Sequence, residues 1–118
     1  MADLVIEGSD LVVHLSTFEK AEAVHGNVTL PLSAVVSVEA VDDAWPHLRG
    51  MRAPGTGIPN VVAVGTRRGT FGKDFAAVHG TGAALVVELE GAAYQRIVVT
   101  HDDAVALAGT INAARTTG

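Results

Sequence analysis

The chain has 118 residues and a formal net charge of −5, a length that fits one domain over residues 1–118. It contains no cysteine, which excludes disulfides, thiolate metal ligands and cysteine nucleophiles. The negative net charge disfavours binding of nucleic acid. No apolar run approaches the roughly 18 residues of a membrane span. The N-terminus lacks the basic start of a signal peptide, so a cytoplasmic location is expected.

The first elements in chain order are two short strands followed by a short helix. Alternating apolar residues predict strands at Asp3–Glu7 and residues 10–16, joined by a Gly-Ser turn as a hairpin. Ser16 and Glu19 have the spacing of a capping box, so a helix of about two turns is expected to start there. A brief strand over residues 27–30 follows it.

The middle of the chain combines a clear strand pattern with a segment rich in glycine and proline. Val35–Val41 predicts a strand with Val36, Val38 and Ala40 on one face. Residues 49–60 hold several closely spaced glycines and prolines, which predicts an irregular loop. Such a loop either closes the fold or binds a ligand.

The last part of the chain predicts four strands and a helix. The strands cover residues 61–66, 70–78, 84–89 and 94–100, and an apolar stripe predicts a helix over residues 103–115. Repeated short strands that end in one amphipathic helix predict a mostly β (α+β) fold, a bent antiparallel sheet or open barrel of about seven strands capped by the C-terminal helix.

Two segments carry a resemblance to a known family. Residues 19–38 lead from a basic sequence through the prolyl turn in VTLPLSAVVSV to a strand, and residues 49–59 read RGMRAPGTGIP, with Asn60 where glycine is expected. These segments resemble bacterial pleckstrin-homology-like (PH-like) domains, in particular uncharacterised actinobacterial members. The resemblance covers nearly the whole chain. It implies a single PH-like domain and a homo-oligomer, because some members assemble through their sheet edges.

The basic residues are concentrated between positions 49 and 73. A structural loop and a solvated basic face are the favoured interpretation, and a face that binds an acidic ligand, with the glycines cradling the anion, is the alternative. The segment meets neither the dinucleotide-binding nor the P-loop spacing. Phosphoinositide binding is not expected, because the first hairpin loop, residues 7–10, is acidic. The candidate ligand-binding residues are Arg49, Arg52, Gly55, Gly57, Arg67 and Arg68.

Catalytic and metal-binding patterns are not found. The five histidines, among them His25, have no H-x-H or H-E-x-x-H spacing, so neither a metal nor a cofactor is expected. Asp102 and Asp103 are interpreted as capping residues of the last helix. None of the serines lies in a G-x-S-x-G elbow. We therefore expect no enzyme, and a small hydrolase that uses His79 or His101 is the third hypothesis.

Trp45 is the single tryptophan and precedes Pro46. It is interpreted either as a plug over a seam of the fold or as the anchor of an oligomer interface. The leading hypothesis is a non-enzymatic PH-like interaction domain that self-associates or binds a protein partner. The alternative is a small-molecule or anion-binding module that uses residues 49–60 with Arg67 and Arg68.

Overall fold

The computed structural model describes residues 2–23 and 26–117, and the side chains of residues 23, 52–55, 116 and 117 lie outside that description. Short 3₁₀ turns at Leu32–Ala34 and Trp45–His47 connect some of the main elements. The strands are β1 Asp3–Glu7, β2 Asp10–His14, β3 Val28–Pro31, β4 Val35–Val41, β5 Met51–Ile58, β6 Val62–Gly69, β7 Gly72–His79, β8 Ala84–Leu89 and β9 Arg96–Thr100; the helices are α1 Thr17–Ala23 and α2 Ala104–Thr117.

The strands form two sheets. One is three-stranded with the order β1-β2-β3, and the other is six-stranded with the order β4-β8-β9-β7-β6-β5. The predicted fold class, mostly β with a C-terminal helix, is confirmed. The described strands number nine where about seven were expected, and β7 pairs with β9 in parallel. The parallel pair forms because β9 lies between β8 and β7 in the sheet, antiparallel to β8 and parallel to β7.

The capping box at the start of α1 is confirmed. The backbone N–H of Ser16 donates to Oε1 of Glu19 at 3.0 Å, and the N–H of Glu19 donates to Oγ of Ser16 at 3.1 Å. These two bonds satisfy donors that the first turn of a helix leaves free. The Glu19 side chain is 2% exposed, so the box also buries a carboxyl group against the six-stranded sheet.

Strand β4 has the predicted bounds, but one of its side chains points the other way. The register with β8 shifts between Val35 and Ser37, and Val36 is 49% exposed, whereas Val35 and Val38 are buried. An extra residue in one strand inverts the alternation beyond it. The prediction that Val36 shares a buried face with Val38 was therefore wrong.

The predicted loop over residues 49–60 is instead mainly a strand. Met51–Ile58 forms β5 and pairs with β6, with a register shift between Arg52 and Gly55. Proline and glycine are tolerated here because β5 is an edge strand, whose outer side needs no ladder partner. The Gly/Pro loop prediction was wrong for this reason.

The following turn is also displaced from its predicted position. It falls at residues 70–71, so that Arg67 and Arg68 lie within β6. Both side chains therefore start from a strand of the six-stranded sheet instead of from a turn.

The six-stranded sheet is buried on both faces. Its inner face joins the three-stranded sheet and α2 in the main core, where Phe75, Leu85 and Ile111 are fully buried. Its outer face carries a second cluster built from smaller residues such as Ala63 and Ala76. Among the described residues, no helix is long and apolar enough to cross a membrane.

Candidate functional site

Trp45 covers the second cluster on the outer face of the six-stranded sheet. Its backbone N–H donates to Oδ1 of Asp43 at 3.1 Å at the start of the 3₁₀ turn, and Pro46 follows as the second residue of that turn, where its missing N–H costs no intrahelical bond. Its indole Nε1–H donates to the carbonyl of Gly80 at 2.7 Å. The ring packs against the cluster and stays half-buried, so one part of it remains at the surface.

A cleft of about 190 Å³ lies beside the Trp45 ring. Ala63 forms part of its lining together with the end of β5, and the Arg67 side chain reaches it from β6. Three predicted site residues, Trp45, Gly57 and Arg67, therefore meet here. This volume is below the roughly 300 Å³ of the smallest typical ligand pockets, so the cleft suits one side chain better than a free cofactor.

The turn between β5 and β6 presents apolar side chains next to this cleft. The N–H of Val61 donates to the carbonyl of Ile58 at 2.9 Å, and Asn60 has a φ of 63°. Pro59 and Asn60 thus occupy the central positions of a type II turn, in which the second position favours Gly or Asn. Ile58 and Val61 are 53% and 56% exposed. The Pro-Asn pair between two β-branched residues is the sequence signal from which this turn could have been found.

Charged residues form a row across the six-stranded sheet. Glu88, Arg96, Asp74, Arg67 and Arg52 are successive register partners from β8 to β5. Nε of Arg96 donates to Oε1 of Glu88 at 2.6 Å. Oppositely charged residues alternate from Glu88 to Arg67 in this row, and cross-strand neighbours of opposite charge stabilise a sheet.

Arg49 is bound to a buried carboxylate. Its Nε and one terminal nitrogen donate to Asp74 at 2.6 and 3.1 Å, and Asp74 is 3% exposed. The hydrogen bond that Arg49 donates to Asp74 raises the pKa of Arg49, and this effect outweighs the lowering caused by burial. The guanidinium also lies 4.1 Å from the centre of the Phe71 ring. Arg49 therefore anchors the chain before β5.

The Arg67 side chain anchors the same segment before β5 by binding backbone carbonyls of that segment. Its Nε donates to the carbonyl of Arg49 at 3.0 Å and its terminal nitrogen to that of Gly50 at 3.2 Å. Gly50 has a φ of 78°, and a Cβ there would lie 2.6 Å from the Arg68 carbonyl oxygen, so only glycine fits this bend. The predicted ligand residues Arg49 and Arg67 thus bind groups of the chain itself.

The other predicted ligand residues are not gathered into one cradle. Gly55 lies within β5 opposite Gly65. The Arg52 side chain lies outside the described part of the chain. Arg68 is exposed, and no described residue forms a hydrogen bond or ion pair with its side chain. Of the predicted arginines whose side chains are described, Arg68 is the one left free for an anion.

His79 lies between two glutamates of α1. Its Nδ1 is 3.6 Å from Oε2 of Glu19, and its Nε2 is 3.3 Å from Oε1 of Glu22. Because the two carboxylates face opposite ring nitrogens, one metal ion cannot reach all three groups. In residues 2–23 and 26–117, no group of three or more His, Cys, Asp or Glu side chains could hold a metal ion. The cluster connects α1 to the six-stranded sheet.

His101 is fixed at the start of α2. Its Nδ1 accepts the N–H of Asp103 at 3.0 Å, and its Nε2 lies 3.0 Å from Oδ1 of Asp3. An accepting Nδ1 places the proton on Nε2, which then donates to Asp3. The imidazole thus satisfies the backbone N–H of the residue that directly precedes α2. His25 lies outside the described residues.

Comparison with known proteins adds no relative. The chain matches no family model, no curated protein and no solved structure.

Proposed function

We propose that this chain is a non-enzymatic PH-like interaction domain that works by protein contact, and that its contact is with a second copy of itself. The contact uses the Trp45 surface, defined as Trp45, Ile58, Pro59 and Val61. The observation that carries the proposal is that the half-exposed Ile58 lines the cleft beside the only tryptophan of the sequence, with the half-exposed Val61 closing the same turn at the end of an edge strand.

The composition of the Trp45 surface supports this role. Clustered apolar residues at a surface mark interaction sites more often than single ones do, and tryptophan is enriched among the residues that dominate binding energy. The type II turn holds Ile58 and Val61 in a fixed geometry, so little conformational entropy is lost when they are covered.

Charge supports contact between two copies rather than with an unrelated acidic ligand. Edge strands β4 and β5 lie at opposite ends of the six-stranded sheet. A cleft of about 400 Å³ near the end of β4 is lined by Asp42, Asp102 and Asp103, whereas the free guanidinium of Arg68 lies on β6, opposite the first residue of the edge strand β5. Opposite charges on opposite edges favour a head-to-tail contact.

The test is light scattering during size-exclusion chromatography from low-micromolar to near-millimolar protein. We expect the apparent mass to rise with concentration, and Val61→Glu to abolish the rise because it places a charge in the apolar contact. Val5→Glu is the matched control, since Val5 is 37% exposed on β1 of the three-stranded sheet, outside the Trp45 surface and outside the acidic cleft. A monomer at every concentration, or equal loss in both variants, would overturn self-association through this surface.

The second hypothesis, an anion-binding module, is favoured by Arg68, which has no described partner. It predicts that inorganic phosphate or ATP raises the unfolding temperature, and that Arg68→Gln removes the shift. No shift in the unchanged chain would eliminate it. The Trp45 surface ranks first because Arg49 and Arg67, the other two predicted ligand arginines with described side chains, already bind groups of the chain.

A further inference from the structure

A cleft of about 590 Å³ opens between the β1–β2 turn, the 3₁₀ turn at Leu32–Ala34 and the last turn of α2. Its apolar lining includes Ile6, Leu32 and Ala114, of which Ile6 and Leu32 pack against the main core. The N–H of Leu32 donates to the carbonyl of Ser9 at 2.9 Å, which fixes two walls relative to each other. The volume lies within the roughly 300–1,000 Å³ of small-molecule sites.

Three polar side chains line the same cleft. Arg115 donates through Nε to Oδ1 of Asn112 at 2.8 Å, and no carboxylate of the described residues lies within ion-pair distance of it. Its two terminal nitrogens are therefore available as a fork for a carboxylate. The hydroxyl groups of Ser9 and Ser33 have no described hydrogen-bond partner and add two further donors.

The surrounding charges select the anion. The C-terminal end of a helix carries about half a negative charge, so the full charge of Arg115 leaves this end of the cleft positive. Glu7 and Asp10 flank the β1–β2 turn as register partners, and they would repel a second negative charge. A monoanion with an apolar body therefore fits better than a phosphate ester or a polyanion.

We propose that this cleft binds an amphipathic monocarboxylate. The carboxylate accepts hydrogen bonds from Arg115 and the two serine hydroxyls, and the apolar body lies along Ile6, Leu32 and Ala114. No residue of the cleft belongs to the Trp45 surface, so the inference does not depend on the proposed function.

The test uses octanoate and the full chain, followed by amide chemical shifts in nuclear magnetic resonance spectra. We expect saturable shifts at Ser9, Leu32 and Ser33, and a Kd at least about tenfold lower for octanoate than for octanol, which lacks the charge. Arg115→Gln should raise the Kd for octanoate at least about tenfold. Lys20→Gln removes a positive charge from an exposed residue of α1, is the matched control and should leave the Kd unchanged.

A second variant tests the apolar part separately. Ala114→Phe places a ring in the cleft and should abolish the octanoate shifts while the rest of the spectrum stays folded. The proposal is overturned if octanoate causes no saturable shift, if Arg115→Gln and Lys20→Gln bind it equally, or if octyl phosphate binds more tightly than octanoate.

Discussion

Replacing Arg49 by methionine tests whether this residue supports the fold or serves a ligand. The change removes two charge-assisted hydrogen bonds at 2.6 and 3.1 Å from a carboxylate that is 3% exposed. Breaking a buried ion pair from one side costs about 3–5 kcal/mol. The Arg49 side chain is 33% exposed, so water can reach the vacated position, and we expect a loss of about 2–3 kcal/mol in the free energy of unfolding.

The magnitude can be resolved with a conservative variant and a double-mutant cycle. Arg49→Lys keeps the charge but loses the two-pronged geometry, so it should cost about 1 kcal/mol. Combining Arg49→Met with Asp74→Asn should reveal a coupling energy of about 2 kcal/mol, because the buried charge disappears with its partner. Urea unfolding followed by circular dichroism measures each variant.

The refuting result is a small effect. If Arg49→Met lies within about 0.5 kcal/mol of the unchanged chain, the size typical of surface substitutions, Arg49 does not anchor the segment before β5. Arg49 would then be available to an anion, and the second hypothesis would gain support over the Trp45 surface.

Substitutions at three further positions test local features. Ser16→Ala removes half of the capping box and should lower the free energy of unfolding by about 1 kcal/mol; an unchanged urea midpoint would contradict this. Asn60→Gly should be neutral or slightly stabilising and Asn60→Val destabilising by about 1–2 kcal/mol, and equal midpoints would argue against the positive φ. His79→Leu leaves the buried carboxyl of Glu19 without its imidazole neighbour and should speed amide hydrogen exchange in α1 selectively; uniform change across the chain would refute that connection.

Features set by neighbouring residues could be predicted from the sequence. The capping box of α1 depends on Ser16 and Glu19 alone, and the strand over residues 84–89 follows from a run of consecutive, mostly apolar residues, so both predictions were correct. The bulge in β4 could not be predicted in the same way. It is defined by the register of Val35 and Ser37 against a partner strand far along the chain.

The misassigned segment 49–60 shows the same limit in the candidate site. Glycine and proline predict a loop from local conformational preference, but β5 gains its order from pairing with β6 and from its position at the sheet edge. The pairing of the basic residues could not be predicted for a related reason. The partner of Arg49 is 25 residues away, and charge counted along the chain cannot show that this guanidinium is already neutralised.

Burial of the six-stranded sheet on both faces restricts where this protein can make contacts. With the main core on one side and the second cluster under Trp45 on the other, most of that sheet offers a partner only its edges and the turns at its ends. The Trp45 surface lies at one such end, and the cleft at Arg115 lies between the three-stranded sheet and α2. Because the two share no residue, Val61→Glu should leave octanoate binding unchanged, and Arg115→Gln should leave the concentration dependence of the apparent mass unchanged.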